Sequence, residues 1–142
     1  PEPFADEKVL DAEPVAKGKR EPVVRKRRCQ DLLAEDNNRL RGVDGTVDSA
    51  YIGEDYIELH FASTGYPVTL FFYNAFRDNN EQSYNLVKHL AHLLTTTDLR
   101  VLVCCLGVVE MDNNKATIQI MSPNHITIEG LSIFNYMSVL AS

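Results

Sequence analysis

Residues 99–121 read LRVLVCCLGVVEMDNNKATIQIM, and the reading of the whole chain turns on them. Val101 to Val109 is nearly all apolar and rich in β-branched residues, which predicts a central strand buried on both faces, with Gly107 marking a bulge. Asp112-Asn113-Asn114-Lys115 is tight-turn chemistry. Ala116, Ile118 and Ile120 then alternate with Thr117 and Gln119, the period-two pattern of a return strand. Working backwards, Leu86, Leu90, Leu93 and Leu94 recur at spacings of three and four after a capping run Asp78-Asn79-Asn80, which predicts a helix. Before it lie three further strands. Val43, Gly45 and Val47 alternate with Asp44, Thr46 and Asp48; Ile57, Leu59 and Phe61 alternate with Tyr56, Glu58 and His60; Val68 to Tyr73 follows the turn Ser63-Thr64-Gly65-Tyr66-Pro67.

Three strands, a helix and two strands within about 80 residues is the element order of an OB-fold, a five-stranded barrel with a helix plugging one end. The expected fold class is therefore mainly β: an OB-fold-like barrel with one helix between strands three and four. Leu99 to Val109, continued through Ile118-Gln119-Ile120-Met121, resembles the fourth and fifth strands of OB domains in replication protein A and related telomere-capping subunits. The chain departs from that family in lacking the tryptophan and aspartate features of the third strand and in its longer helix. The resemblance implies a nuclear subunit concerned with DNA replication or telomere maintenance, in which a helix after the barrel contacts another subunit. Residues 131–142 fit neither helix nor strand period cleanly. As a helix they align Ile133, Phe134, Tyr136, Met137 and Leu140 as a partner-binding segment; otherwise they complete the core.

Charge divides the chain. Residues 1–42 hold ten Lys or Arg against nine Asp or Glu, and residues 43–142 hold four against eleven. The expected organisation is a basic arm over 1–40, disordered with a short helix near 25–40, followed by an acidic domain over 41–142. Lys17, Lys19, Arg20, Arg25, Lys26, Arg27 and Arg28 put seven positive charges within twelve residues. Such a run contacts phosphates, docks on an acidic surface, or serves as a two-part nuclear import signal.

Single-strand binding needs aromatic faces for stacking and cations along the backbone path. Phe71 and Tyr73 share one face of strand three, and Tyr56 sits with His60 on the more polar face of strand two; of the body's four cations, Arg77, Lys88, Arg100 and Lys115, Arg77 and Arg100 are the candidates for phosphate contact. These residues, with the basic arm, form the candidate nucleic-acid site. The eleven carboxylates of the body oppose a phosphate chain, so docking of other protein subunits is the preferred function. Direct single-stranded DNA or RNA binding is the alternative, and a structural adaptor with an oligomerising helix near 25–40 and a mixed α/β head that recognises a peptide is a third.

With no glycine-rich phosphate loop, nucleophile–base spacing or defined carboxylate pair, the expectation is a protein that is not an enzyme, has no catalytic residues and uses no cofactor. His89 and His92 lack partners at zinc-binding spacing, so no metal is expected. Cys29, Cys104 and Cys105 are odd in number, and two are adjacent, which argues against a disulfide scaffold. No stretch reaches the 18 or so uninterrupted apolar residues of a membrane span, so no membrane partner is expected.

Overall fold

In the computed structural model, which describes residues 12–13, 23–62 and 65–141, the strands are β1 (Lys26–Arg28), β2 (Arg39–Ile52), β3 (Ile57–Phe61), β4 (Val68–Phe72), β5 (Val101–Asp112), β6 (Lys115–Gln119), β7 (Ile126–Ile128) and β8 (Leu131–Ser132). The helices are α1 (Asn74–Asn79), α2 (Glu81–Thr96) and α3 (Ile133–Ala141). A further two-residue ladder joins Ala12–Glu13 to Val23–Val24. Strand order around the barrel is β2-β3-β4-β6-β5 and back to β2, with β4 and β6 parallel and every other barrel pairing antiparallel. Closure in that order, with the helices between the third and fourth barrel strands, is the OB topology.

One strand makes closure possible by changing partners along its length. β2 pairs with β5 over Arg39–Val47 and with β3 over Val47–Ile52, and the register shifts between Val47 and Ser49. The extra residue reverses the alternation: Val43 and Val47 face the core before the bulge, and Ala50 and Ile52 pack against it afterwards. Tyr51 is thereby turned outward.

The core is filled by the inward alternate residues of the strands, including Ile57, Leu59, Leu70, Phe72, Val103, Val109 and Ile118. β4 alternates buried and half-buried positions from Val68 to Phe72. α1 adds Phe76, whose ring meets Phe72 edge-on at 5.3 Å and 86°, a geometry worth about 1 kcal/mol beyond the area buried. α2 buries Tyr84, Val87, Leu90, Ala91 and Leu94 at spacings of three and four, while Leu86 and Leu93 lie at the margin of that stripe.

Four local expectations are corrected. β5 is not buried on both faces: Val101, Val103, Cys105, Gly107 and Val109 are inside, but Leu102 and Cys104 are exposed. Gly107 marks no bulge, because register with β2 runs unbroken through Arg41–Gly107. It is there because a Cβ would come within 2.6 Å of Ile118 Cγ2. The helical region begins earlier than its capping run, at Asn74, and breaks at Asn80, whose non-helical φ of −147° and ψ of 56° separate α1 from α2. Residues 25–40 form no helix able to oligomerise, but a strand and two short 3-10 turns, Cys29–Asp31 and Ala34–Asp36.

That segment belongs to the body. β1 pairs in parallel with Gly42–Asp44, and Cys29 and Leu32 are buried in the main core. A buried charge cluster secures it: Asp36 Oδ1 accepts from Arg41 Nε at 2.6 Å and from Arg27 Nε at 3.2 Å, and its Oδ2 accepts from the Leu33 N–H at 2.8 Å. The sequence period missed these anchors because they are polar.

After the barrel, the chain returns to it. β7 pairs with β5 through Val103–Cys105, and the turn to β8 uses Glu129 and Gly130 at positive φ. Glu129 tolerates that conformation because it is bonded at both ends to Leu102: its N–H donates to the carbonyl and its carboxylate accepts from the amide, each at 2.7 Å. α3 then packs against α2. Of its expected partner-binding residues, Ile133, Tyr136 and Met137 are buried in the core and Leu140 is half-buried, so only Phe134 is exposed. The segment completes the core, because the apolar stripe that suggested a partner is the face it lays on α2 and the barrel.

Candidate ligand-binding face

The outer surface of β3 and β4, with the end of β2, carries a cluster of four aromatic rings. Cross-strand register places Tyr51, Glu58 and Phe71 in one row and Ser49, His60 and Thr69 in the next. Phe71 and Tyr73, two apart on the same face, stack with centroids 5.2 Å apart and planes 4° from parallel. Tyr56 is the hub: its ring lies 6.0 Å from Tyr51, 6.2 Å from Phe71 and 5.9 Å from Tyr73, tilted to each. It reaches them because Gly53 has no side chain. A Cβ there would sit 2.5 Å from the Tyr56 ring, and the Gly53 N–H donates to the Tyr56 carbonyl at 2.8 Å to close the turn.

The rings surround a carboxylate. Glu58 Oε1 pairs with His60 Nε2 at 2.8 Å, and His60 Nδ1 lies 3.1 Å from Ser49 Oγ. Partial desolvation raises the Tyr56 hydroxyl above its usual pKa, helped by the charge of Glu58 and a hydrogen bond to it. Tyr73 is raised by desolvation and then by Glu58 and Glu110. Both tyrosines therefore feel a negative field.

The expected nucleic-acid site is only partly assembled. Tyr56, Phe71 and Tyr73 come together, and Tyr51 joins them; sequence alternation missed Tyr51 because the bulge after Val47 reverses its facing. The cations do not join. Arg77 is held by Asp55 at 3.7 Å and Asp78 at 3.5 Å and lies over the Tyr84 ring. Arg27 is tied to Asp36 and Glu35, which raise its pKa against the cost of desolvation. The Arg25 carbonyl accepts from the Gly42 N–H, and exposed Lys26 and Arg28 sit opposite Gly42 and Asp44. Tyr51 is seven residues further along β2 than Asp44, on the order of 20 Å at strand spacing. Arg100 is exposed just before β5. Lys17, Lys19 and Arg20 lie outside the described residues.

A second concavity of about 290 Å³ opens between β1, β2, β5 and β7, lined by Lys26, Asp44, Cys104, Leu106, His125 and Thr127. His89 and His92 are exposed on α2. Among the described residues no three His, Cys, Asp or Glu side chains gather as a metal site, and no helix is long and apolar enough to cross a membrane.

No family model matches the chain, and no curated protein matches it by sequence. Solved structures do match. Aspartyl tRNA synthetase from Entamoeba histolytica superposes with a TM-score of 0.50 at 9% identity, over 85% of this chain and 25% of that one. A chain of the S. pombe Stn1-ten1 complex gives 0.45 at 10% identity, over 72% of this chain and 66% of that one. An OBody bound to hen egg-white lysozyme gives 0.46 at 17%, over 69% and 86%. At these identities the likeness is one of fold, and this chain spans only part of the first two. The class is the OB fold: a closed five-stranded barrel, with the aromatic cluster on the outer face of its second and third strands.

Proposed function

We propose that the chain is a non-enzymatic OB-fold subunit that docks another protein, within a nuclear assembly of the genome- or telomere-maintenance kind. The observation that supports docking over nucleic-acid binding is the position of Glu58 among the four rings. A base stacked on Phe71 and Tyr73 brings its phosphates toward Glu58 and Glu110, and like charges a few ångströms apart repel by about one to several kcal/mol at a protein surface. Of the cations that would offset this, Arg77 and Arg27 are committed to carboxylates, and Lys26 and Arg28 lie far along β2. The nuclear and telomeric setting rests on the resemblance of residues 99–121 and on the import-like spacing of the basic residues between Lys17 and Arg28.

One observation favours direct single-strand binding as a second reading: the parallel Phe71–Tyr73 stack is the kind of platform on which bases lie. Titrating a fluorescent single-stranded oligonucleotide at low and physiological salt separates the two. Docking predicts no binding that depends on Phe71; a saturable complex lost in Phe71→Ala reverses the assignment.

A further inference from the structure

The same face has the makings of a receptor for a particular side chain. Rings around a carboxylate attract a cation: each ring face is the negative pole of its quadrupole, and the carboxylate supplies the counter-charge. Among cationic groups the guanidinium fits best. It is planar, so it lies flat on an aromatic face, and its fork of donors matches a carboxylate held at the edge of that face. Here Phe71 and Tyr73 provide two nearly parallel rings, Tyr56 and Tyr51 provide tilted walls, and Glu58 sits between Tyr51 and Phe71 in the cross-strand row. The domain that carries this face is acidic, with four Lys or Arg against eleven Asp or Glu over residues 43–142. That imbalance steers basic segments toward it and phosphate chains away.

We propose that the Tyr51–Tyr56–Phe71–Tyr73 cluster with Glu58 is a docking site for an arginine side chain presented by a basic segment of a partner protein. This rests on the protein-docking function above and names the chemistry of the partner.

The test uses the whole chain and a fluorescein-labelled nine-residue peptide of alternating arginine and glycine, with a glutamate version as control, followed by anisotropy at low and physiological salt. The arginine peptide binds and the glutamate peptide does not. Phe71→Ala and Glu58→Gln each weaken binding roughly tenfold, between the exposed and desolvated limits of a cation–π contact for the ring and about the size of a charge-assisted hydrogen bond for the carboxylate. Phe71→Tyr retains binding, and Asp98→Asn, which removes an exposed charge outside the cluster, changes it less than about twofold. Circular dichroism and melting curves confirm that each variant is folded. An arginine peptide that fails to bind, or that loses as much affinity in Asp98→Asn as in Glu58→Gln, overturns the proposal. An oligonucleotide run in parallel keeps the two failures apart: Phe71-dependent oligonucleotide binding overturns protein docking itself, whereas absence of both ligands overturns only the arginine assignment.

Discussion

Asp36 and Arg41 form an ion pair at 2.6 Å with both side chains almost completely closed off from water. The pair joins the segment before the barrel to β2, and Arg27 approaches the same carboxylate from β1. Removing one member of such a pair leaves the other charged and buried, at a cost of about 3–5 kcal/mol. Asp36→Ala should lower the unfolding free energy in urea by that amount, whereas Glu35→Gln, at the exposed end of the cluster, should lower it by less than about 1 kcal/mol. Equal effects would mean that Asp36 does not hold the segment.

The three thiols differ in access. Cys104 faces outward on β5, while Cys29 and Cys105 are buried, and desolvation raises both of the buried thiols above their usual pKa. Thiolate reactivity follows exposure and ionisation. A disulfide exchange reagent at pH 8 should therefore label one thiol per chain in the native state and three in denaturant, and Cys104→Ser should abolish the native signal.

Those shifts set the alkaline limit of stability. In the unfolded chain the thiols ionise near about 8.5 and the tyrosines near about 10. In the folded chain Cys29, Cys105, Tyr73, Tyr84 and Tyr136 are all raised, chiefly by desolvation, and keep their protons longer. Above those usual values the unfolded state binds fewer protons than the folded state, so stability falls as pH rises. Their contribution should be constant below about pH 8.5 and decline above it, by up to about 1.4 kcal/mol per pH unit for a buried group such as Cys105 and by less for Tyr73, which is partly exposed. Urea midpoints across pH 7 to 11 check this; a flat profile contradicts it.

Gly53→Ala tests the geometry of the hub ring. The three atoms nearest the added methyl, all within 3 Å, belong to the Tyr56 ring, a side chain that can swing outward, so stability should change by less than about 1 kcal/mol while the four-ring cluster opens. Arginine-peptide binding should fall as far as it does in Tyr56→Ala. Unchanged binding would place the ligand elsewhere.

How much of this was legible in the sequence depended on whether a single period governed the segment. Barrel strands, their order and the turn at Asn113-Asn114 could be read because alternation and turn chemistry are local; both asparagines are at positive φ. The pairing of Phe71 with Tyr73 followed from the same alternation. Tyr51 did not, because a bulge at Val47/Ser49 is set by the change of partner from β5 to β3, which no local pattern records. Residues 26–36 looked like a charged arm because their anchors are Cys29, Leu32 and the Asp36–Arg41 pair, too few apolar residues to show a period. The outward row of β5 misled in the opposite sense: Leu102 is half-exposed, and an apolar residue on a surface leaves the same letter in the sequence as one in a core.

The most direct test of the central claim is to watch the rings themselves. In carbon-resolved NMR spectra of the aromatic side chains, the resonances of Tyr51, Tyr56, Phe71 and Tyr73 would be followed through separate titrations with the arginine–glycine peptide and with a twelve-residue oligothymidylate at physiological salt. An arginine-docking face predicts that the four rings shift together and saturably with the peptide and stay unmoved with the oligonucleotide. Saturable shifts with the oligonucleotide and none with the peptide would contradict it, and would make the face a platform for bases.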